Sequence, residues 1–509
     1  MSAKLTINSW VTALAAVCLS ALGTGSALAD EIHVYEGESI QAAIDVALGG
    51  DEVIVHPGTY VENIDLLGKA ITVRSSDGSD VTTIQAQVNG PIVSCLNDEG
   101  PDTLIEGFTI TGGSAQGGGG LRNRYSSPTV RDCVFLGNHA SVYGGGAIYN
   151  YYSDLTVINC TFQDNSTVDA GGAIYCTHSS VYVRGCTFLS NSSNAEGGGF
   201  YSENGSATLI DCTFSENTAV TAGGAVKFID DSPILLNCRL VGNHAYKGTG
   251  LAQSHSDTLL VGCLLVGNTA DSFGGAMVTH ESRITLLNCT SALNTAPDAG
   301  GIMIQGGESV ITITNCVLWG NTDDGGSDQD AQLSLTDAVH LEDLHMDFCC
   351  VQGWTGEYGG TGNFGDDPLF VDAGNGDVHL APGSPCIDAG FNNILDADGY
   401  DLDNDGLTCE RFPLDADGIA RFADDPDTVD TGCGAPVVVD LGAFEYHGNP
   451  ADVIYGDVDG DGEVRIDDVF SVLGDWGDCD GCCLSDVNLD GVVNIDDIFA
   501  VLDAWGPCT

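Results

Sequence analysis

The chain has 509 residues, 73 of them acidic against 14 basic, for a formal net charge of −59. So few cations exclude a nucleic-acid binder, which must neutralise phosphates, and 43% hydrophobic residues exclude a disordered chain. The length exceeds what one ordinary core supports, unless the core lengthens by stacking repeats without thickening.

Residues 1–29 read as a secretory signal. Lys4 supplies the positive start, Val11 to Gly23 the apolar stretch, and Ala27-Leu28-Ala29 the small-residue cleavage site before Asp30. The stretch is too short for a membrane anchor, and no later segment is apolar enough to form a transmembrane segment. The expectation is a secreted protein, extracellular or at a cell surface, with calcium as the natural counter-ion for its acidic excess.

Glu38 to Leu48 has helical apolar spacing and precedes the strand-like runs Glu52-Val53-Ile54-Val55 and Tyr60-Val61-Glu62. A helix here is expected to cap the first coil of a solenoid, whose open strand edges would otherwise invite aggregation.

The repeat that follows carries the strongest signal. Cys133, Cys160, Cys186, Cys212, Cys238, Cys263, Cys289 and Cys316 recur every 25 to 27 residues, and an Asn follows each by five positions, from Asn138 to Asn321. Such phase over eight units marks one supersecondary unit stacked on itself. Short β-branched runs such as Leu155-Thr156-Val157-Ile158, bounded by turn residues, make each unit a coil of strands. The residue before each Cys is always Asp, Asn or Gly, the types that tolerate a left-handed backbone, which predicts a sharp bend there. Stacking at about 4.8 Å places like over like, so Phe135, Phe162, Phe188 and Phe214 should form an inner ladder beside an Asn ladder that hydrogen-bonds along the axis. The Cys ladder is read as stacked free thiols rather than disulfides or metal ligands. Gly145-Gly146-Ala147-Ile148, Gly171-Gly172-Ala173-Ile174, Gly198-Gly199-Phe200 and Gly223-Gly224-Ala225-Val226 supply a tight turn into the next strand.

Together the Gly-Gly-Ala-Ile and Phe-x-x-Asn motifs resemble the repeats of polymorphic outer-membrane β-helix adhesins, and the stacked coil resembles the pectin-lyase-like superfamily. The resemblance covers residues 30–390 and implies an all-β fold, a right-handed parallel β-helix. Residues 391–447, ending in Val439-Asp440-Leu441-Gly442-Ala443-Phe444-Glu445-Tyr446, resemble the acidic tail of bacterial secreted β-helices. Within it, Asp401, Asp403, Asp405 and Gly406 begin a calcium loop that Phe412 leaves incomplete.

After a linker at 448–455, residues 456–509 carry two loops that start 29 residues apart. Asp457, Asp459, Asp461 and Asp468, then Asp486, Asn488, Asp490 and Asp497, hold the oxygen-ligand positions of EF-type loops, each with Gly at the sixth position. Each loop runs into a short helical pattern. The module resembles a dockerin, a small α-helical calcium-binding domain, and that implies Ca²⁺ and a cohesin-like partner. Cys479, Cys482, Cys483 and Cys508 are expected to staple it, in any of three connectivities, with a zinc site as the alternative.

For chemistry, Arg122, Tyr149, Tyr175, Tyr201 and Lys227 occupy one outward position on five successive coils, about 19 Å in all. Tyr rings stack on sugar faces and the flanking cations can hold uronate or sulfate, so this stripe is the candidate polysaccharide-binding surface; exposed aromatics laddered for stability are the alternative. Asp164 and Glu216 share a coil position two rungs apart, about 9.6 Å, near the separation of an inverting glycosidase, and are the candidate catalytic pair. Three functions stay open: a polysaccharide lyase or glycoside hydrolase carried by a dockerin-like tag, a binding module without catalysis, and a non-catalytic adhesin or structural β-helix.

Overall fold

The computed structural model describes residues 29–336, 338–392, 414–423, 425, 428, 431–433 and 438–447, with the backbone of 477–478 and 492–493. Residues 1–28 of the secretory signal, the Asp401 loop, the linker and all eight proposed calcium ligands lie outside the described residues. Of the C-terminal module only the backbone of Gly477–Asp478 and Val492–Val493 is described, the two paired antiparallel.

The repeat folds into stacked coils whose strands form four parallel sheets of 13, 12, 11 and 7 strands. Sheet 1 runs from Glu31–Val34 to Leu344–Asp347, sheet 2 from Gly58–Val61 to Cys350–Val351, sheet 3 from Ile64–Asp65 to Leu333–Leu335, and sheet 4 from Ser114–Ala115 to Thr269–Phe273. One coil passes through Thr156–Ile158 in sheet 1, Thr161–Gln163 in sheet 2, Ser166–Thr167 in sheet 4 and Ile174–Thr177 in sheet 3. Before the coils settle into this pattern, a helix spans Ile40–Val46, capped by the Ser39 side chain on the Ala42 N–H. It buries Ile40, Ala43 and Ile44 against the first strands.

Each corner of the coil needs a left-handed residue, and these line up along the axis. The residue before each ladder Cys has φ between 47° and 63°, from Asp132 to Asn315, as its residue types predicted. A second such column precedes each ladder Asn, a third follows the eight sheet 3 strands from Leu121–Arg124 to Ile302–Gln305, and a fourth, three residues before those strands, is glycine in the first seven and Ala299 in the last. In the fourth column the strand register aligns Gly145, Gly171, Gly197 and Gly223, so the third unit turns at Gly197-Gly198, one residue earlier than its motif suggests. The second glycine of the pair is required by crowding: a Cβ on Gly172 would lie 2.0 Å from the Gly198 carbonyl oxygen.

The inner ladders form as expected. The Phe135, Phe162, Phe188 and Phe214 rings are fully buried, with centroids 5.0, 4.8 and 4.3 Å apart. The Asn165 amide donates to Asn191 Oδ1 at 3.0 Å and to the Phe135 carbonyl at 2.9 Å, while the Asn165 backbone N–H shares the same Oδ1 at 3.0 Å. The pattern repeats along the ladder and ends on Gln332, whose Oε1 accepts from Asn321 Nδ2 at 2.8 Å. The ladder cysteines are buried, unpaired thiols, extended by Cys349, whose thiol lies 3.5 Å from the Ile313 carbonyl.

The chain then returns along the outside of the solenoid. Asn288 Nδ2 donates to the Asp440 carbonyl at 3.0 Å, and the Gly442 N–H to the Asn315 carbonyl at 2.8 Å. Val439 covers Ile210, Leu236 and Val261 on sheet 1, while Ala443 and Phe444 cover Leu264, Val266 and Ala292 on sheet 2. Arg421 is fully buried there and donates to the Gly442 and Ala443 carbonyls, with Glu445, Asp415 and Asp440 around it.

Candidate functional site

Sheet 3 presents its outward residues in two axial columns. Register pairs Arg122 with Tyr149, Tyr149 with Tyr175, Tyr175 with Tyr201 and Tyr201 with Lys227, as the coil spacing predicted. Two positions along each strand, Arg124, Tyr151, Thr177 and Glu203 form the second column. A third column comes from the left-handed corner after the strand: Tyr125, Tyr152, His178 and Asn204, with φ from 48° to 56°. The side chains on these residues are thrown outward because the corner turns there.

The rings of the first column stack nearly parallel, with centroids 5.6 Å apart for Tyr149 and Tyr175 and 5.0 Å for Tyr175 and Tyr201. They lie over the glycine turns, so a Cβ on Gly144 would meet the Tyr175 ring at 2.8 Å. Glu203 clamps two phenols, accepting from Tyr175 at 3.2 Å and Tyr201 at 2.9 Å. Burial first, then the Glu203 charge, pushes both phenols well above their ordinary range, so they remain donors. The same burial limits the stripe. Tyr201 is 6% and Lys227 5% exposed, and the Lys227 ammonium donates to Ser254 Oγ at 3.2 Å with its pKa lowered by burial.

Exposure lies instead beside the predicted stripe, at Tyr125 (54%), Tyr143 (49%) and Tyr152 (46%). Tyr125 and Tyr152 stack at 5.9 Å, Tyr152 meets His178 edge-on at 4.5 Å, and the Arg124 guanidinium sits 5.2 Å from the Tyr151 ring centroid. Arg122 Nε and Arg124 Nε are both buried without a hydrogen-bond partner. This face combines platforms for sugar rings with donors for anionic groups. Asp169 lies near Glu203, and burial first, then that neighbouring charge, raises its pKa. Sequence reasoning followed one column and missed its neighbours; Tyr-x-x-Tyr at 149–152 and Arg-x-Arg-Tyr at 122–125 were the available signals.

Asp164 and Glu216 are placed elsewhere. Both are corner residues between sheets 2 and 4, with φ 54° and 56°, immediately before the inward Asn165 and Asn217. Asp164 accepts from Gln163 Nε2 at 3.1 Å and Glu216 from Ser190 Oγ at 3.2 Å. The eight proposed calcium ligands lie outside the described residues. No helix among the described residues is long and apolar enough to cross a membrane.

The family model for a right handed beta helix region matches residues 70–243. No curated protein matches the sequence. Among solved structures, pectate lyase Pel9A superposes with a TM-score of 0.38 at 11% identity, over 83% of this chain and 98% of that one. The PL6 family alginate lyase AlyGC gives 0.32 at 11% identity, over 69% of this chain and 55% of that one. The A-module of the Azotobacter vinelandii mannuronan C-5 epimerase AlgE6 gives 0.27 at 14% identity, over 64% and 95%. At these scores the likenesses carry neither substrate nor reaction to this chain. The family match and the parallel register together make the solenoid of residues 70–243 a right-handed β-helix.

Proposed function

We propose that this chain is a secreted β-helix protein that binds extracellular polysaccharide along the Tyr-rich face of sheet 3, tethered to a cohesin-like partner through its C-terminal calcium module. The observation that carries the reading is the exposed, stacked Tyr125–Tyr152 platform beside Arg122 and Arg124 in a chain otherwise poor in cations. An anionic glycan fits best, with sugar faces on the rings and its acid groups on the two guanidiniums. Degradation is the second reading, favoured by Asp169, a carboxyl shifted toward its protonated form beside the Glu203 carboxylate. The tether rests on the two acidic loops alone.

The test is calorimetric titration of the full chain with uronate, sulfated and neutral glycans, alongside assays for new reducing ends and unsaturated products. Tyr152→Asn keeps the corner, since Asn204 fills the same column at φ 55°, and removes the ring. It should weaken binding about tenfold with an unchanged melting temperature. Unaltered affinity in both Tyr152→Asn and Tyr125→Asn would reduce the face to a structural ladder.

A further inference from the structure

The corner column that carries Tyr125 and Tyr152 changes character along the axis, continuing through Asp230, His255 and Glu281 to Gly306. We infer that His255, His280 and Glu281 form a binding site for a divalent transition-metal ion, of which zinc is the representative. One ligand atom from each lies within 4.8 Å of the others. Two imidazole nitrogens and one carboxylate suit zinc-like cations, whereas calcium and magnesium are held by oxygen alone.

The backbone builds this set. His255 and Glu281 hold left-handed corners at φ 52° and 47° on adjacent coils, and His280 ends the intervening sheet 3 strand. Strand stacking brings the His255 ring to 3.0 Å from Glu281 Oε2 and 6.0 Å from the His280 ring centroid. Gly306, next in the column, leaves the space Glu281 occupies: a Cβ there would lie 2.6 Å from Glu281 Cγ. His255 and Glu281 line a groove of about 630 Å³ together with Asp230, Asp257 and Glu308, with Arg283 beside Asp257, and the half-buried His280 joins them from the strand end. The acidic lining draws a cation in, and the open groove leaves coordination positions for water or a second ligand.

Tetrahedral zinc places its ligand atoms about 3.3 Å apart, so binding needs a small rotation of His280 and Glu281, not a movement of the corners. The ion would replace the direct His255–Glu281 hydrogen bond. This site is independent of the glycan face and of the C-terminal loops: two of its ligands, His255 and Glu281, come from the corner column whose residues change from aromatic to metal-ligating, and the third, His280, from the strand end beside it.

The experiment uses the full chain, stripped with chelator and held in excess calcium to fill carboxylate-only sites. Zinc titration by calorimetry should show one tight site, and cobalt should give a visible d–d spectrum without thiolate charge transfer. His255→Asn copies Asn204, and His280→Gln copies its register partner Gln305, so both preserve the coil. Each should weaken zinc at least about tenfold and remove the cobalt spectrum, with circular dichroism and melting unchanged. Glu281→Gln should do the same. Zinc affinity that survives all three variants, or cobalt bound only with thiolate charge transfer from the C-terminal cysteines, would overturn the assignment.

Discussion

Asn191 shows how one residue type sustains the solenoid. Its amide donates to the Phe162 carbonyl at 2.9 Å and to Asn217 Oδ1 at 2.9 Å, while its own Oδ1 accepts from the Asn165 backbone and side chain at 3.0 Å. Replacing it with Ala strands these buried partners, each costing about 1–3 kcal/mol. Asn191→Ala should therefore lower unfolding free energy by at least about 3 kcal/mol in urea titrations. Asp164 provides the contrast, since its corner and not its carboxylate is what the coil uses. Asp164→Gly should leave stability within about 1 kcal/mol of the parent, whereas Asp164→Val should cost about 1–2 kcal/mol for a left-handed β-branched residue. Types at these positions were legible in the sequence because every coil repeats them. Other inward ladders are equally regular: the Ser126 N–H donates to Ser153 Oγ and the Ser153 N–H to Ser179 Oγ, both at 3.1 Å, and Asn123 donates to Asn150 at 2.7 Å. Serine is so common in turns that its recurrence carries little contrast.

Elements here are too short to hold themselves, with strands of two to five residues through the repeats of sheet 4 and its neighbours. Their stability comes from vertical pairing, so what matters is how closely coils approach. Gly172→Ala, with its Cβ 2.0 Å from the Gly198 carbonyl oxygen, should abolish soluble folded protein. Gly137 is also left-handed, at φ 63°, yet a Cβ there meets nothing within 4 Å. Gly137→Ala should cost only about 1–2 kcal/mol, and comparing the two by thermal melting separates crowding from backbone preference. The sheets also record what covers them. Early strands alternate outward polar with inward apolar residues, as in Thr129-Val130-Arg131, while Leu259-Leu260-Val261 and Leu264-Leu265-Val266 are apolar on both faces. Loss of alternation is the mark of a sheet buried on both sides, and here it marks where the returning tail lies. Periodicity alone does not separate such a run from any other short apolar strand.

At the scale of the whole molecule, the tail is fastened through charge. His379 lies between Asp377, at 2.5 Å, and Asp417, at 2.7 Å, and Arg239 of sheet 2 bonds the same Asp417. Burial opposes the imidazolium, but the bonds to Asp377 and Asp417 outweigh it and raise the His379 pKa. A raised folded pKa means this attachment is fully present below the ordinary histidine value of about 6.5 and is lost as pH rises through the shifted one. The protection of amides in residues 378–380 and 441–446, taken relative to their intrinsic base-catalysed exchange rates, should therefore fall from pH 6 to 8, and His379→Gln should remove that fall. The repeat period, the corner before each ladder Cys, the glycine turn and the inward Phe and Asn ladders were determined by the sequence itself, because each coil meets only its neighbours and repeats their chemistry. Tertiary structure alone decided which outward columns stay exposed. Tyr201 and Lys227 share the stripe with Tyr149 yet are buried, Tyr152 and His255 emerge at corners, and the tail closes one side. These outcomes depend on side chains from different coils, and on a segment more than a hundred residues away, meeting in space, which no local pattern encodes.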